Sequence, residues 1–216
     1  MCFSATASLS AGTVLLTIGT VTLFMSRRPA ERPFAAIPLL FALQQFVEGL
    51  VWLSFGGPAG LNFAAIQVYS FFSHVLWPVY VPVAAWLMEP HGLRRRALSA
   101  FMAGGLGVSA YLLLSLMTNP IQAHPVGGHV DYHSPHFYIA TSVTLYLLST
   151  TVSLLLSSHT SVKVFGVLAL GSSFVSYLFY ARWFISVWCF FAAVLSIAVA
   201  LHFIALRPLS SPRIPT

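Results

Sequence analysis

The sequence predicts an all-α integral membrane bundle of seven transmembrane helices, and three observations carry that prediction. The chain has 216 residues, of which 58% are hydrophobic and only 6% charged. A soluble domain carries about 25% charged residues, so this composition cannot coat a water-facing surface. Mean hydropathy is +0.86, and apolar stretches of roughly 20 residues, the length that crosses a bilayer as a helix, recur along the whole chain. The basic residues are also segregated. Arg27, Arg28, Arg32, Arg94, Arg95, Arg96, Lys163, Arg207 and Arg213 fall on one side of such a bundle, and Arg182 alone falls on the other. This is the positive-inside pattern, and it places the N-terminus outside and the C-terminus in the cytoplasm. It accounts for the pI of about 9.8 without nucleic acid, and makes membrane lipids the expected partners. The apolar runs are continuous and lack a period of two, which argues against a barrel.

The helices are expected at 5–25, 34–54, 63–88, 98–118, 137–156, 164–181 and 185–206, forming one domain over 1–206 with a short cytoplasmic tail at 207–216. The first has no basic n-region and no small-residue cleavage site, so it reads as a retained helix and not as a signal peptide. Gly56-Gly57-Pro58 turns the chain between the second and third helices, and Glu89-Pro90-His91-Gly92 ends the third. The segment 119–136, with Pro120, Pro125, Gly127, Gly128 and Pro135, is the longest loop on the outside. The sixth and seventh helices are joined by so short a turn that they must be antiparallel neighbours. No internal repeat is visible, which weakens the inverted-repeat transporter class.

Within these spans one formal charge is expected at membrane depth, Glu48. A charge near a bilayer centre costs roughly 2.5–3.5 kcal/mol even on lenient scales, so the carboxyl must be neutral, paired or facing a wet cavity. Gln44, Gln45 and Trp52 share its helix face by their i, i+4 and i+3 spacing. The rise per residue puts Glu48 about 21 Å from the inner boundary, in the outer half of the membrane. The third helix carries Gln67, Ser70, His74 and Pro78 along one face. Pro78 cannot donate to the carbonyl of His74, so an imidazole and a freed carbonyl share one level, suited to a cation, a water or a proton relay. His74 reads equally as a hydrogen-bonded core histidine in a kinked packing helix. A Glu48–His74 pair sharing one proton is the electrostatic proposal, with acid–base chemistry or proton coupling as its use.

Two cysteines, Cys2 and Cys189, are both expected towards the outside, where a disulfide is permitted. With His74 they form a candidate metal set for Zn or Cu. Cys2 also reads as an N-terminal nucleophile, and both read as small buried hydrophobes. No hydrophobic leader precedes Cys2, which argues against a lipoprotein. An alternative metal site lies in the outside loop at His129, Asp131, His133 and His136, although the spacing matches no firm motif and Pro135 prevents a regular helix there; a solvated loop is the plainer reading. Tyr177, Tyr180, Trp183 and Trp188 surround the outer ends of the last two helices, as an interfacial belt or as a pocket wall. Arg182 is placed to meet a lipid phosphate or an anionic substrate. Two axial histidines for haem are not at matching depths, since His74 and His202 differ by about 8 Å. Lys163, the sole lysine, lies in a loop, so a retinal Schiff base is excluded.

With these residues placed, the chain resembles a family of bacterial multi-pass membrane proteins grouped as a domain of unknown function. The likeness rests on Met1-Cys-Phe-Ser-Ala-Thr-Ala-Ser8, Pro38-Leu-Leu-Phe-Ala-Leu-Gln-Gln-Phe-Val-Glu-Gly49, Phe71-Phe-Ser-His74 before Trp77-Pro78, Ser157-Ser-His159 and Ser186-Val-Trp-Cys-Phe-Phe-Ala-Ala193. It implies a bacterial cytoplasmic membrane and no particular activity. A looser likeness, to the seven-helix hydrolases related to alkaline ceramidases, is one of architecture only, because the HxxxH pair of their last helix is absent here. Three function classes follow. The first is a small membrane metalloenzyme with Glu48 and His74 in acid–base roles and Gln44, Gln45, Trp52, Ser70, Tyr177, Arg182 and Trp188 lining its substrate cavity. The second is a proton- or cation-coupled transporter or channel, and the third a sensor or assembly factor that binds a lipid or small molecule.

Overall fold

The apolar stretches fold as helices packed side by side, and the computed structural model describes residues 4–90 and 92–205 of them. Cys2, Arg207 and Arg213 lie outside the described residues. Five helices among those described are long and apolar enough to cross a membrane: α1 (Ala5–Met25), α2 (Pro29–Ser54), α3 (Ala59–Met88), α4 (Leu93–Thr118) and the stretch Thr160–Ala205. A shorter apolar helix, α5 (Ala140–Leu155), precedes the last of these. The 46-residue stretch Thr160–Ala205 is not one rod. Trp188 Nε1 donates to the carbonyl of Ala169 at 3.2 Å, although the two would stand about 28 Å apart along a straight helix. A 3₁₀ turn at Ala181–Trp183 folds the chain back, making α6 (Thr160–Tyr180) and α7 (Phe184–Leu195) the antiparallel neighbours that their short connection predicts; α8 (Ile197–Ala205) continues α7. The molecule is an all-α membrane bundle with one small β addition.

Small residues set the close helix contacts. Ser8, Gly12, Leu15, Gly19 and Thr22 form the buried seam of α1, and a Cβ added at Gly19 would lie 2.5 Å from the backbone nitrogen of Leu39 on α2. In lipid, where apolar association has no hydrophobic drive, such backbone approach supplies the packing energy. The α3–α4 contact is tighter still. A Cβ at Gly105 would meet the carbonyl oxygen of Pro78 at 1.9 Å.

That contact lies beside an irregular turn. Residues Phe71–Leu76 of α3 form a π-helical segment immediately before Trp77-Pro78. The missing donor of proline and the wider π turn leave carbonyls that need other partners. Tyr146 of α5 donates its hydroxyl to the carbonyl of Ser73 at 2.5 Å, and Ser109 of α4 donates to that of Val75 at 2.8 Å. Three helices therefore meet at the distortion.

The segment expected as a loop is instead an antiparallel hairpin, β1 (Gln122–Val126) and β2 (His129–His133), with Val126 paired to His129. Gly127 and Gly128 have φ of 61° and 76°, the pair of positive angles that a two-residue turn requires when its twist matches the strands. Ala123, Val130 and Tyr132 are buried, and Tyr132 stacks on Tyr69 of α3 with ring centroids 4.6 Å apart. The hairpin so occupies chain that was expected to be irregular, and α5 starts at Ala140 and not at 137. Glu48 is also not the sole buried carboxylate. Glu89, at the far end of α3, is buried and accepts from the Ser158 amide at 2.9 Å and from Ser157 Oγ at 3.2 Å, which ties that end to the turn before α6.

Candidate functional site

The polar residues of α2 and α3 face in different directions, and this separates two sites that the sequence reading joins. Gln44, Gln45 and Glu48 are completely buried, as one shared helix face requires, while Trp52 is half-buried against Phe55. Ser186 of α7 donates to Glu48 Oε1 at 2.6 Å, and Gln45 Nε2 donates to Oε2 at 3.4 Å. Trp77 of α3 donates its indole N–H to Gln44 Oε1 at 2.7 Å. The Gln44 amide and the Tyr69 phenol face the buried thiol of Cys189, with the Glu48 carboxyl nearby. This is a dense polar knot that joins α2, α3 and α7 in the bundle interior. Trp188, expected at the rim, is buried beside it, stacked on Phe184 at 5.4 Å.

His74 belongs to the second site. Its Nδ1 lies 2.8 Å from Ser73 Oγ and its Nε2 lies 2.9 Å from Ser134 Oγ, in the segment just after β2. Ser73 Oγ is in turn 3.4 Å from the carbonyl of Ser70. We assign the ring proton to Nδ1, because a chain Nδ1–H to Ser73 Oγ to Ser70 carbonyl satisfies each donor in turn. Nε2 is then the acceptor for the Ser134 hydroxyl. With both nitrogens engaged, none is left for Glu48, so the expected Glu48–His74 pair does not form. The reason is the hairpin: the polar face of α3 is covered by the 119–136 segment. One turn away, Gln67 clamps the backbone of Ile121, donating to its carbonyl at 2.8 Å and accepting from its amide at 3.3 Å. Ser70 is buried on the same face.

His74 and Ser134 form part of the wall of a pocket of about 230 Å³ between α3, α4 and the segment after β2, with Asn119, His133 and His136 among its other lining residues. Ser134 also lines a neighbouring chamber of about 310 Å³ with Asp131, Tyr138 and Arg182. Within it Arg182 is ion-paired through one nitrogen, its Nε donating to Asp131 Oδ2 at 2.7 Å. Tyr177, more than half exposed, packs on Phe184 at 6.2 Å.

The metal expectations fare differently. Among the described residues no group of three His, Cys, Asp or Glu side chains is placed to hold an ion. The loop set is dispersed because each member has other work. His129 stacks on Trp183 at 4.7 Å, Asp131 holds Arg182, and His136 Nδ1 lies 3.3 Å from the Tyr111 hydroxyl. His133 is exposed on the pocket rim. The set of Cys2, His74 and Cys189 includes a residue outside the described ones, and its two described members serve the different sites above. Ser134 is the residue that sequence reading missed. Its signal was weak, a serine between His133 and Pro135 in an assumed loop, and only the hairpin brings it to His74.

Residues 1–213 match the family of unknown function DUF6629. No curated protein and no solved structure matches the chain.

Proposed function

The chain belongs to this family of unknown function, and from that premise and its geometry we propose an integral membrane enzyme of the acyl-transfer or ester-hydrolysing type. Ser134 is its nucleophile and His74 its general base. The observation that carries the reading is the Nε2–Oγ contact of 2.9 Å on the wall of a pocket, with the opposite ring nitrogen held by Ser73. A nucleophile, a base within hydrogen-bond reach and a third group that orients the base are the parts such chemistry needs. The π-helical segment under His74 supports the reading, since π turns persist mostly where function repays their poorer hydrogen bonding.

In the proposed step Ser134 Oγ bonds to the acyl carbon as its proton passes to His74 Nε2. The departing alcohol takes that proton and leaves an acyl-serine. Water, deprotonated by the same nitrogen, then releases the acid and restores both residues. Glu48 takes no part; it ties α2 to α7. We read the chain as crossing a bacterial cytoplasmic membrane seven times, with the α6–α7 turn and the hairpin outside and the tail inside. The segregation of basic residues supports this orientation, which opens the pocket outwards.

A small fluorophosphonate, which phosphonylates activated serines, tests the site on purified protein in detergent. Labelling should disappear in Ser134→Ala and slow by roughly 100-fold or more in His74→Gln, the low end of what a general base contributes. Both variants should remain monodisperse. Unchanged labelling of either folded variant removes the proposal.

A further inference from the structure

A second cavity adjoins the Ser134 chamber. Between α5 and α6 runs an apolar groove of about 680 Å³, floored by residues such as Leu147, Val167 and Gly171 and closed at its hairpin end by Tyr138, Tyr177 and Phe184. The α5 helix beside it is short. Running from Ala140 to Leu155, it has 16 residues, fewer than the roughly 20 needed to cross the hydrocarbon. The non-helical segment just before α5 includes Ser134. Val167 and Tyr177 bracket the groove along α6, a span of about 15 Å at the helical rise. Gly171 keeps it open, as no atom lies within 4 Å of a Cβ built there. Tyr138 lines both this groove and the chamber of Arg182 and Asp131, and Ser134 lines both that chamber and the pocket of His74. The groove, the chamber and the pocket are thus successive neighbours, each sharing a wall residue with the next.

The chamber also has a defined charge. It holds one guanidinium and one carboxylate, Arg182 and Asp131, joined through Arg182 Nε. A guanidinium has five N–H donors, and its terminal amino groups stay available to an anion, while Asp131 attracts an ammonium. A cation beside an anion is the complement of a zwitterionic headgroup, and a headgroup without an ammonium would bring no cation of its own to Asp131.

We propose that the substrate class of the Ser134–His74 site is a zwitterionic phospholipid that enters laterally from the membrane. One acyl chain lies in the α5–α6 groove, the phosphate is at Arg182, the ammonium at Asp131 and the ester at Ser134. The assignment rests on the acyl-transfer reading above.

The test uses full-length protein reconstituted in nanodiscs with phosphatidylethanolamine carrying a photoreactive diazirine on one acyl chain. Cross-links should map to the α6 segment 167–177. Gly171→Phe, which places a ring in open space, should reduce them at least tenfold while the small fluorophosphonate still labels Ser134. Cross-links outside the groove, or undiminished in Gly171→Phe, overturn the lipid assignment even where Ser134 remains reactive. Groove cross-links in a protein whose Ser134 is inert overturn the catalytic reading, and the substrate assignment with it. Equal cross-linking by phosphatidylglycerol overturns the headgroup assignment.

Discussion

At the scale of the residue, polar side chains inside this bundle are defined by what they hold. Glu48 is fully buried and held by Ser186 and Gln45, and Gln44 holds Trp77. These contacts satisfy polar groups that would each cost several kcal/mol if left unpaired in hydrocarbon. The shared face of Gln44, Gln45 and Glu48 was legible from spacing alone, because helical periodicity fixes which residues share a face. Which helix they meet was not legible, because periodicity says nothing of rotation about a neighbour. His129 carries a prediction of its own. Buried against Trp183 and Tyr180, it titrates below the ordinary histidine value because burial disfavours its charged form. The undocked hairpin therefore binds a proton more readily than the docked one. Docking is fully stable above about pH 6.5, the unperturbed histidine value, and weakens as pH falls towards the depressed value. Hydrogen exchange of the hairpin amides, corrected for intrinsic rate, should accelerate between pH 7.5 and 5.5, and His129→Phe should flatten that dependence. An equal pH response in the variant would assign it to another group.

At the scale of the element, glycine and proline decide where helices approach and bend. Pro78 and the preceding π segment create a distortion that Ser109 and Tyr146 satisfy from two other helices, and Gly105 lets α4 reach it. Gly105→Ala must push α4 from the Pro78 carbonyl and pull Ser109 from that of Val75. We expect a loss of roughly 3 kcal/mol, at the upper end of overpacking costs, while Gly107→Ala, which meets open space, should be near neutral. Thermal unfolding in detergent checks the contrast, and equal midpoints would show that α3 and α4 do not depend on this contact. The lost donor at Pro78 could be read from sequence, since proline lacks an N–H wherever it stands. The π segment could not, because it depends on donors from α4 and α5 that are remote in the chain. The hairpin had a local signal in Gly127-Gly128, yet its docking depends on Tyr69 and Gln67, more than fifty residues earlier.

At the scale of the whole molecule, the proposed orientation puts the hairpin and Arg94 on opposite faces of the membrane. In a background with both native cysteines replaced, a membrane-impermeant thiol reagent added to intact cells should label His124→Cys and leave Arg94→Cys unlabelled until the membrane is opened. The reverse pattern would invert the bundle and turn the Ser134 pocket to the cytoplasm. The sequence by itself determined that this protein is an all-α membrane bundle. Hydrophobicity, span length and charge segregation are sums over local residues and need no knowledge of packing. It also determined that Glu48 and His74 must be satisfied, since an unpaired polar group in hydrocarbon is too costly. Only the tertiary structure decided with whom. Glu48 went to Ser186 across 138 residues and His74 to Ser134 across 60, because the hairpin folds over α3 and fills the face where the two had been expected to meet. Partner choice among buried polar groups is a property of which surfaces are brought together, and no local pattern encodes it.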